Sequence, residues 1–599
     1  MKKFIKNHPY LFLLAYSALF ALVSIVYINL GDVRHDYTFH LGRLAGLVQS
    51  FEHGDFLPSL NFAFTKGVGY ASPMFYGNWQ FYLPALLYLL IRNVAIVYSF
   101  YVFLLTSALA CSMYYSVLKI GKRRKRAMCA ALLSTLVLTW FGYGMTMVAT
   151  FVPILFYAMY KVLYQDQNNP VLLGVIIGLL IQTHLLSTAV LAFSSLIFVL
   201  LNVRRWTMPR IISFVQSALI GLVLASGFLI QYAEQSNSQM FFFHWAARDY
   251  PFSYDMLLKT FWLWESIFRS AYIPMLVVLI VLLVVIKRLK PFCQQLVIVC
   301  VITFLLQTHL IPGVSLLKQT PVLVLQDLRR ISFFVPLLVV MALALSLSLA
   351  MNRLVLLVQA VVYGIGCLMV NLPTAANLEQ MGIHQEVFDQ SRIDPEISSF
   401  GASGDEYFTL NINPANVEAD DFGTFMALDN VEVTNIQKGY NNLEFDYQVI
   451  DESQPASMIV PRIWYKGYQV EYSNGASGSE PALRTSPLTD EQKAQYKKDR
   501  MPDVGEEVLY DGKISLDVQG SGHVKLYYQK TGLQIFGFVI ETIAWLMTGI
   551  YSLWKMLMDR SQKDPALADK MAPIEEKLNE FFSRFKNGHS IQESGSSPD

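Results

Sequence analysis

The sequence predicts a mainly α-helical polytopic membrane protein of about twelve transmembrane helices that carries an extracytoplasmic antiparallel β-sandwich domain. Three observations predict it. Hydrophobic residues make up 54% of 599, charged residues 15%, and the mean hydropathy is +0.39, whereas soluble domains carry about 25% charged residues. Apolar runs able to cross a hydrocarbon core of about 30 Å recur from Tyr10 to Asn371 and once more near Phe536. Between roughly 395 and 530 the pattern changes to short alternating runs separated by Gly, Asn, Asp and Ser, which is strand patterning.

The first apolar run, 9–30, follows Lys2, Lys3 and Lys6 and lacks a small-residue cleavage site, so it reads as a retained helix. Further spans are expected at 95–118, 127–142, 145–163, 170–185, 187–203, 211–230, 270–288, 292–309, 331–351, 354–372 and 533–556. With the amino terminus inside, the basic clusters GKRRKR (121–126), Arg204 with Arg205 and Arg210, KRLK (287–290), Arg353 and the tail from Arg560 all fall on one side. The positive-inside rule asks for that arrangement. The runs 127–142 and 170–185 fall short of the roughly 20 residues a spanning helix needs, which leaves a re-entrant pair open.

This divides the chain into a multi-span domain (1–373) with a structured first outer loop (31–94), an extracytoplasmic β-rich domain (374–532), a last span (533–556) and a cytoplasmic tail (557–599). The tail's 565–587 stretch interleaves Lys and Glu, which suits a helix on the inner membrane surface or a solvated helix, and the lack of a strongly basic face favours the solvated one. Both termini are then cytoplasmic and the location is the plasma membrane. All five cysteines lie in or beside apolar runs and none between Pro373 and Gly532, so disulfides do not hold the outer domain. A net charge of +1 with basic residues confined to loops gives no reason to expect nucleic acid.

In the first outer loop Asp36, His40, Arg43 and Leu47 follow at i, i+4, i+7 and i+11, which puts an acid, an imidazole and a guanidinium on one helical stripe. Gly54 is expected to end that helix. Residues 79–91 are apolar, short and contain Pro84, as suits an interfacial or half-inserted helix. Strands are expected at YFTLNI, NLEFDYQV, SMIVPRIWY, YQVEYS, ISLDV and HVKLYYQ.

Ionisable groups beside lipid are costly and usually line a cavity or a substrate path. The candidates are Asp36, His40 and Arg43; His184; His244, Arg248, Asp255, Glu265 and Arg269; and His309, Gln326, Arg329 and Arg330. Asp36 reads equally as a helix N-cap and as a general base or ligand of a divalent metal such as Mg or Mn. His40 taken alone reads more simply as part of a surface hydrogen-bond cluster. Arg329 and Arg330 precede the run 331–351 at its outer end, where basic residues are disfavoured. A guanidinium fork there suits a lipid-linked phosphate, or else it snorkels to headgroups. His184 reads as a helix-end histidine or as a substrate contact. No Gly-rich phosphate loop, HExxH, CxxC or G-x-S-x-G occurs, so ATP-driven transport and zinc hydrolysis find no support.

The order of these motifs resembles the GT-C superfamily of membrane glycosyltransferases, and within it the bacterial YfhO-like and 6-pyruvoyl-tetrahydropterin-synthase-related groups. HDYTFHLGRLAGLVQSFEHGDFLP is similar to the family's D-x-x-x-H-x-x-R helix with its Gly…Pro turn, and GVGYASPMFYGNWQFYLPALLYLL to the aromatic continuation. QTHLLS is similar to a recurring Thr-His pair, and VLQDLRRISFF to a Gln-x-x-x-Arg element, matching Gln326 and Arg330. PRIWYKGYQVEYSNG and GSGHVKLYYQKTG resemble the strands that precede the last span. Asp327, Leu328 and Arg329 stand where that family has Phe-Pro-Trp, which leaves open whether Arg330 or Arg329 carries the phosphate role.

The resemblance implies a transferase that moves a sugar from a polyprenyl-phosphate donor to a cell-envelope acceptor such as a teichoic acid. Asp36 would be base or metal ligand, Arg330 and Arg329 would hold the donor phosphate, and Gln326, His40, Arg43 and His184 would line the site. No cofactor is firmly implied. The alternatives are a transporter or flippase of lipid-linked precursors and a non-catalytic envelope scaffold.

Overall fold

The computed structural model describes residues 2–31, 37–137, 144–238, 241, 266–307, 328–370, 407–408, 423–473, 482–484, 512–562, 564, 572–573 and 576–577. After a short helix, Lys2–Asn7, the chain forms α1 (Pro9–Gly31), α2 (Tyr37–Glu52), α3 (Tyr82–Ile91), α4 (Val94–Gly121), α5 (Arg124–Leu136), α6 (Gly144–Ala149), α7 (Val152–Gln165), α8 (Val171–Thr183) and α9 (Leu185–Leu201). Then come α10 (Met208–Leu224), α11 (Ser226–Ser238), α12 (Ser266–Val284), α13 (Pro291–Gln307), α14 (Val335–Ser346), α15 (Leu349–Val370) and, after the sheets, α16 (Gly532–Ser561).

The centre of the helical part is α14, in which every residue from Val335 to Ala344 is buried. A helix apolar on all sides is stable only when neighbours surround it, and α14 packs against α4, α5, α7, α12 and α13. At the crossing of α8 and α10 the glycines are obligatory, because a methyl at Gly174 would meet Ile220 at 2.6 Å and one at Gly221 would meet Ile177 at 2.5 Å. Such small-residue crossings let two backbones approach where packing rather than water exclusion drives association.

Among the described residues every run expected to span lies largely on helix; α1, α4, α15 and α16 are longer than expected, and others are shorter or broken. Among the described residues three are long and apolar enough to cross a bilayer, Ile96–Gly121, Gly144–Gln165 and Gly532–Ser561, and a fourth if the pair α10 and α11 counts as one. About twelve were expected. The reasons are local. The run 211–230 bends by 70° at the junction of α10 and α11 and Leu347 (φ −89°, ψ 169°) ends α14 early, whereas the extended His184 (φ −160°, ψ 106°) separates α8 from α9 where the runs 170–185 and 187–203 were expected to part. The apolar surface remains large: Ile212, Val215 and Leu219 on α10 and Leu546, Met547 and Ile550 on α16 are all about half exposed or more.

The β-rich part comprises β1 (Met426–Asp429), β2 (Val431–Lys438), β3 (Asn442–Val449), β4 (Ala456–Ile463), β5 (Tyr468–Ser473), β6 (Ala482–Arg484), β7 (Lys513–Val518) and β8 (Ser521–Tyr528). Two four-stranded antiparallel sheets result, ordered β1-β4-β7-β6 and β2-β3-β8-β5. Alternation is clean on β3, whose Leu443, Phe445, Tyr447 and Val449 point into a core shared with Met458, Val460, Ile514 and Leu516 of the other sheet. Of the expected strand YFTLNI, Tyr407 and Phe408 lie in a turn and the remainder lies outside the described residues. Strands β1 and β2 were not anticipated, since VEVTNIQK leaves one face polar and shows no buried alternation beyond its first residue.

The chain divides into two compact units, Met1–Gly537 and Phe538–Asp599. The first holds the helices up to α15 together with both sheets, and its sheets are keyed into the loop that follows α2. Strand β4 is buried on both faces because that loop covers one of them. The Ile463 amide donates to the Val68 carbonyl at 3.0 Å, and the Arg462 guanidinium donates to the carbonyls of Gly67 (3.0 Å) and Asn442 (3.1 Å). The Tyr440 ring stacks on His53 with centroids 4.8 Å apart. The turn after β4 grips the end of α11 through reciprocal bonds, Gln235 to the Lys466 carbonyl (2.7 Å) and the Lys466 amide to Gln235 (3.1 Å). Glu234, nearly buried, gathers Lys466 (3.2 Å), Thr531 (2.7 Å) and Gln534 (2.9 Å) where β8 hands over to α16.

Candidate functional site

Helix α2 begins at Tyr37 and ends at Glu52, with Gly54 at φ +76° in the turn beyond it, as the sequence suggested. Its Phe39, Leu44, Leu47 and Val48 are buried, and so are His40 (2% exposed) and Arg43 (0%). A fully buried guanidinium needs compensation for lost hydration. The following loop supplies it: Arg43 donates to the carbonyls of Tyr76 (3.2 Å) and Gly77 (2.5 Å) and to Asn78 Oδ1 (3.0 Å). Its carbon lies 3.8 Å from the centroid of the Tyr76 ring and 5.0 Å from that of Phe81, and such cation–π contacts gain when desolvated.

The fourth bond fixes a tautomer. Arg43 donates from Nη1 to His40 Nδ1 at 3.1 Å, and because a guanidinium only donates, Nδ1 must accept and the neutral ring carries its hydrogen on Nε2. Burial, then the charge of Arg43, then His184 hold the His40 imidazole well below its usual range, so it stays neutral. His40 Nε2 is buried and has no partner. Buried donors without partners are rare in folded proteins and call for an explanation.

Tyr76 links this pair to a second histidine. Its ring stacks on His184 with centroids 4.7 Å apart and planes 26° apart. His184 sits at the break between α8 and α9, where its Nδ1 is 2.6 Å from Ser187 Oγ. Two glycines make the approach possible, since a methyl at Gly77 would lie 1.7 Å from the Gln182 carbonyl oxygen and one at Gly144 1.8 Å from the Tyr76 hydroxyl. Trp79 Nε1 donates to Thr183 at 3.1 Å and closes the same seam. Arg330, half-buried in the 3-10 turn Leu328–Ser332, lies within electrostatic reach of the His184 ring.

Four of the expected residues, His40, Arg43, His184 and Arg330, thus fall into one neighbourhood although they come from three distant segments. Asp36 and Gln326 lie outside the described residues, as do His244, Arg248, Asp255, Glu265 and His309. Arg329 is described in its backbone alone. Arg43 was expected to line the site. Both of its terminal nitrogens instead donate to this chain, so its place is that of a strut for the 76–78 turn. Tyr76, Gly77, Gly144 and Ser187 were not anticipated. The signal for the first two was available in FYGN, a glycine and asparagine directly after two aromatics, which marks a tight turn carrying rings. Among the described residues no three His, Cys, Asp or Glu side chains gather as a metal site, and the residue proposed as a metal ligand, Asp36, is not among them.

Comparison with protein-family models, with curated proteins and with solved structures found no match to this chain.

Proposed function

We propose that the protein is a GT-C-type membrane glycosyltransferase that takes a sugar from a polyprenyl-phosphate donor and adds it to a cell-envelope glycan or teichoic-acid-type acceptor on the outer face. The twelve-span topology, with residues 374–532 outside and both termini inside, belongs to this proposal. The observation that carries it is the convergence of His40, Tyr76, His184 and Arg330, with a buried His40 donor free to bind a substrate oxygen.

In this reading Arg330, with Arg329, holds the donor phosphate, and Gln326 and His184 line its pocket. Asp36, four residues before His40 in the sequence, removes the proton from the acceptor hydroxyl or would hold a divalent ion. The bond between the anomeric carbon and the phosphate oxygen breaks as the acceptor oxygen attacks, and fixed donors stabilise the departing phosphate charge. His40 Nε2–H is one such donor. Arg43 and Tyr76 orient His40 and His184. The sheets, keyed into the loop just before Tyr76, form the wall on which the acceptor polymer would lie.

The test compares envelope polymers from cells carrying the wild-type chain, Asp36→Asn or Arg330→Gln, with membrane insertion checked in each. Both variants should insert and leave the polymer without the added sugar. A normal polymer from Asp36→Asn cells would exclude the base role.

A flippase for lipid-linked precursors is the second reading, favoured by the 70° break between α10 and α11, because transporters often build their sites from broken helices. Loss of a flippase strands the lipid-linked sugar on the inner leaflet. Loss of a transferase leaves it on the outer leaflet, unused.

A further inference from the structure

Far along the chain from His40, a cavity of about 360 Å³ opens among the ends of α4, α5, α7, α13 and α14. Its charged lining is of one sign: Arg123, Arg126, Arg205 and Lys290, with no Asp or Glu among the lining residues. Four like charges around one small space repel one another, and the effect is felt by Arg126, whose guanidinium is pulled down first by burial and then by the charge of Arg123. No ion pair with a carboxylate offsets the four among the described residues. The nearby acid Asp166 is engaged by Arg210, which does not line the cavity.

The backbone adds to the same field. The first turns of α5 and α13 both border the cavity, through Arg123 and Arg126 on one and Lys290, Pro291 and Cys293 on the other. The first amides of a helix have no partner within it and favour an anion. No side chain caps α5, because its N-cap residue is Arg123, a cation where an anion would be stabilising. The wall is also built, not merely flexible surface: Arg205 lies 4.0 Å from the centroid of the Tyr164 ring, and Tyr164 in turn donates to Gln295 on α13.

The geometry points to a phosphate-binding site in this cavity, held by Arg123, Arg126, Arg205 and Lys290 and distinct from the His40 cluster. Guanidinium forks match phosphate oxygens in pairs, and a cavity of this size accepts a headgroup or a free phosphate ester. The chemistry does not depend on the transferase reading. Under the topology of that reading the cavity opens at the inner face, where the diester of an anionic phospholipid is the available source and basic pockets between helices bind such headgroups.

The experiment uses the purified full chain with two probes. Retention of phosphatidylglycerol from mixed phosphatidylcholine vesicles is read by native mass spectrometry, and binding of inorganic phosphate by the shift in melting temperature in phosphatidylcholine alone. Arg123→Gln/Arg126→Gln should weaken whichever probe binds by about tenfold, the loss expected when charge-assisted bonds are removed. Arg204→Gln, exposed and outside the lining, should leave binding unchanged. Lys290→Gln, also exposed, should give a smaller loss in the same direction and serves if the double variant does not fold. Phosphatidylglycerol retained without a phosphate shift assigns a lipid diester, and the reverse assigns a free phosphate; both support the site. Binding of neither probe, equal binding by the double variant, or an equal loss in Arg204→Gln would overturn it. Because the readout is binding, this result stands apart from any change in the envelope polymer.

Discussion

Two groups of arginines in this chain meet opposite fates. Arg43 and Arg462 are buried to 0% and 2% exposure, and their terminal nitrogens donate to the backbone carbonyls of Tyr76 and Gly77 and of Gly67 and Asn442. Arg123, Arg126 and Arg205 border an open cavity and are at least partly exposed. The first group has exchanged hydration for fixed acceptors and organises the fold. The second keeps much of its hydration and can exchange it for a ligand. A buried charge whose terminal nitrogens are already bonded to the chain is therefore poor evidence for a binding site, even inside a cluster that looks functional.

The comparison is tested hardest at Arg43. Arg43→Met keeps the volume and apolar contact but strands the Tyr76 and Gly77 carbonyls and Asn78, so it should destabilise the fold by about 3 kcal/mol. Thermal unfolding in detergent checks this, and a loss as small as that of a surface change would show that the 76–78 turn holds itself. Gly77→Ala attacks the same seam from the other side, with a methyl against the Gln182 carbonyl, and should also cost up to about 3 kcal/mol through overpacking. Arg462→Met should cost about 2 kcal/mol, since β4 remains tied to the loop by the Ile463 amide. Limited proteolysis between Gly54 and Val68 should rise in parallel.

How much of this was legible in the sequence follows from the range of the forces involved. Helices and strands arise from local periodicity, so α2, its end at Gly54, and β3, β4, β5, β7 and β8 were readable. The spacing that set His40 and Arg43 on one stripe was equally local. The Tyr76 ring between Arg43 and His184 was not readable, because residues 43, 76 and 184 are joined by packing that no window of the sequence contains. The breaks at Ala225 and Leu347 were missed for a related reason: no proline or glycine stands at either, and the backbone there answers to neighbouring helices. The cationic cavity was half visible. Its loops were identified as basic, but as a sign of orientation, and their gathering around one space is a property of the fold alone.

Acid should separate the two groups further. The folded-state pKa of His40 is lowered, so the unfolded chain binds a proton that the folded chain refuses once the pH falls below the ordinary histidine value of about 6.5. Stability is then complete above that pH and declines below it, by about 1.4 kcal/mol for each unit that His40 contributes. Melting at pH 7.5 and 5.5 should show the decline, and His40→Gln should reduce it. The exposed Asp446, held below the usual carboxylate range by hydrogen bonds from Asn435 and then His523, acts in a different window. Its stabilisation is present above the unfolded carboxylate value of about 3.9 and is lost only as the pH falls through its lower folded value. An unchanged acid slope in His40→Gln would mean that the ring is not the neutral acceptor that its bond to Arg43 requires.

The smallest expected effect is the most discriminating. Arg123 is exposed, caps α5 without a side-chain bond and sits among like charges, so nothing in the fold depends on its guanidinium. Arg123→Gln should change stability by no more than about 0.5 kcal/mol, and the sign should favour the variant at low salt because a repulsion is relieved. Melting measured with and without added salt checks both statements. If Arg123→Gln instead destabilised the chain as Arg43→Met should, the cations of the cavity would be structural too. The contrast between arginines that hold the chain and arginines that await a phosphate would then fail at its simpler end.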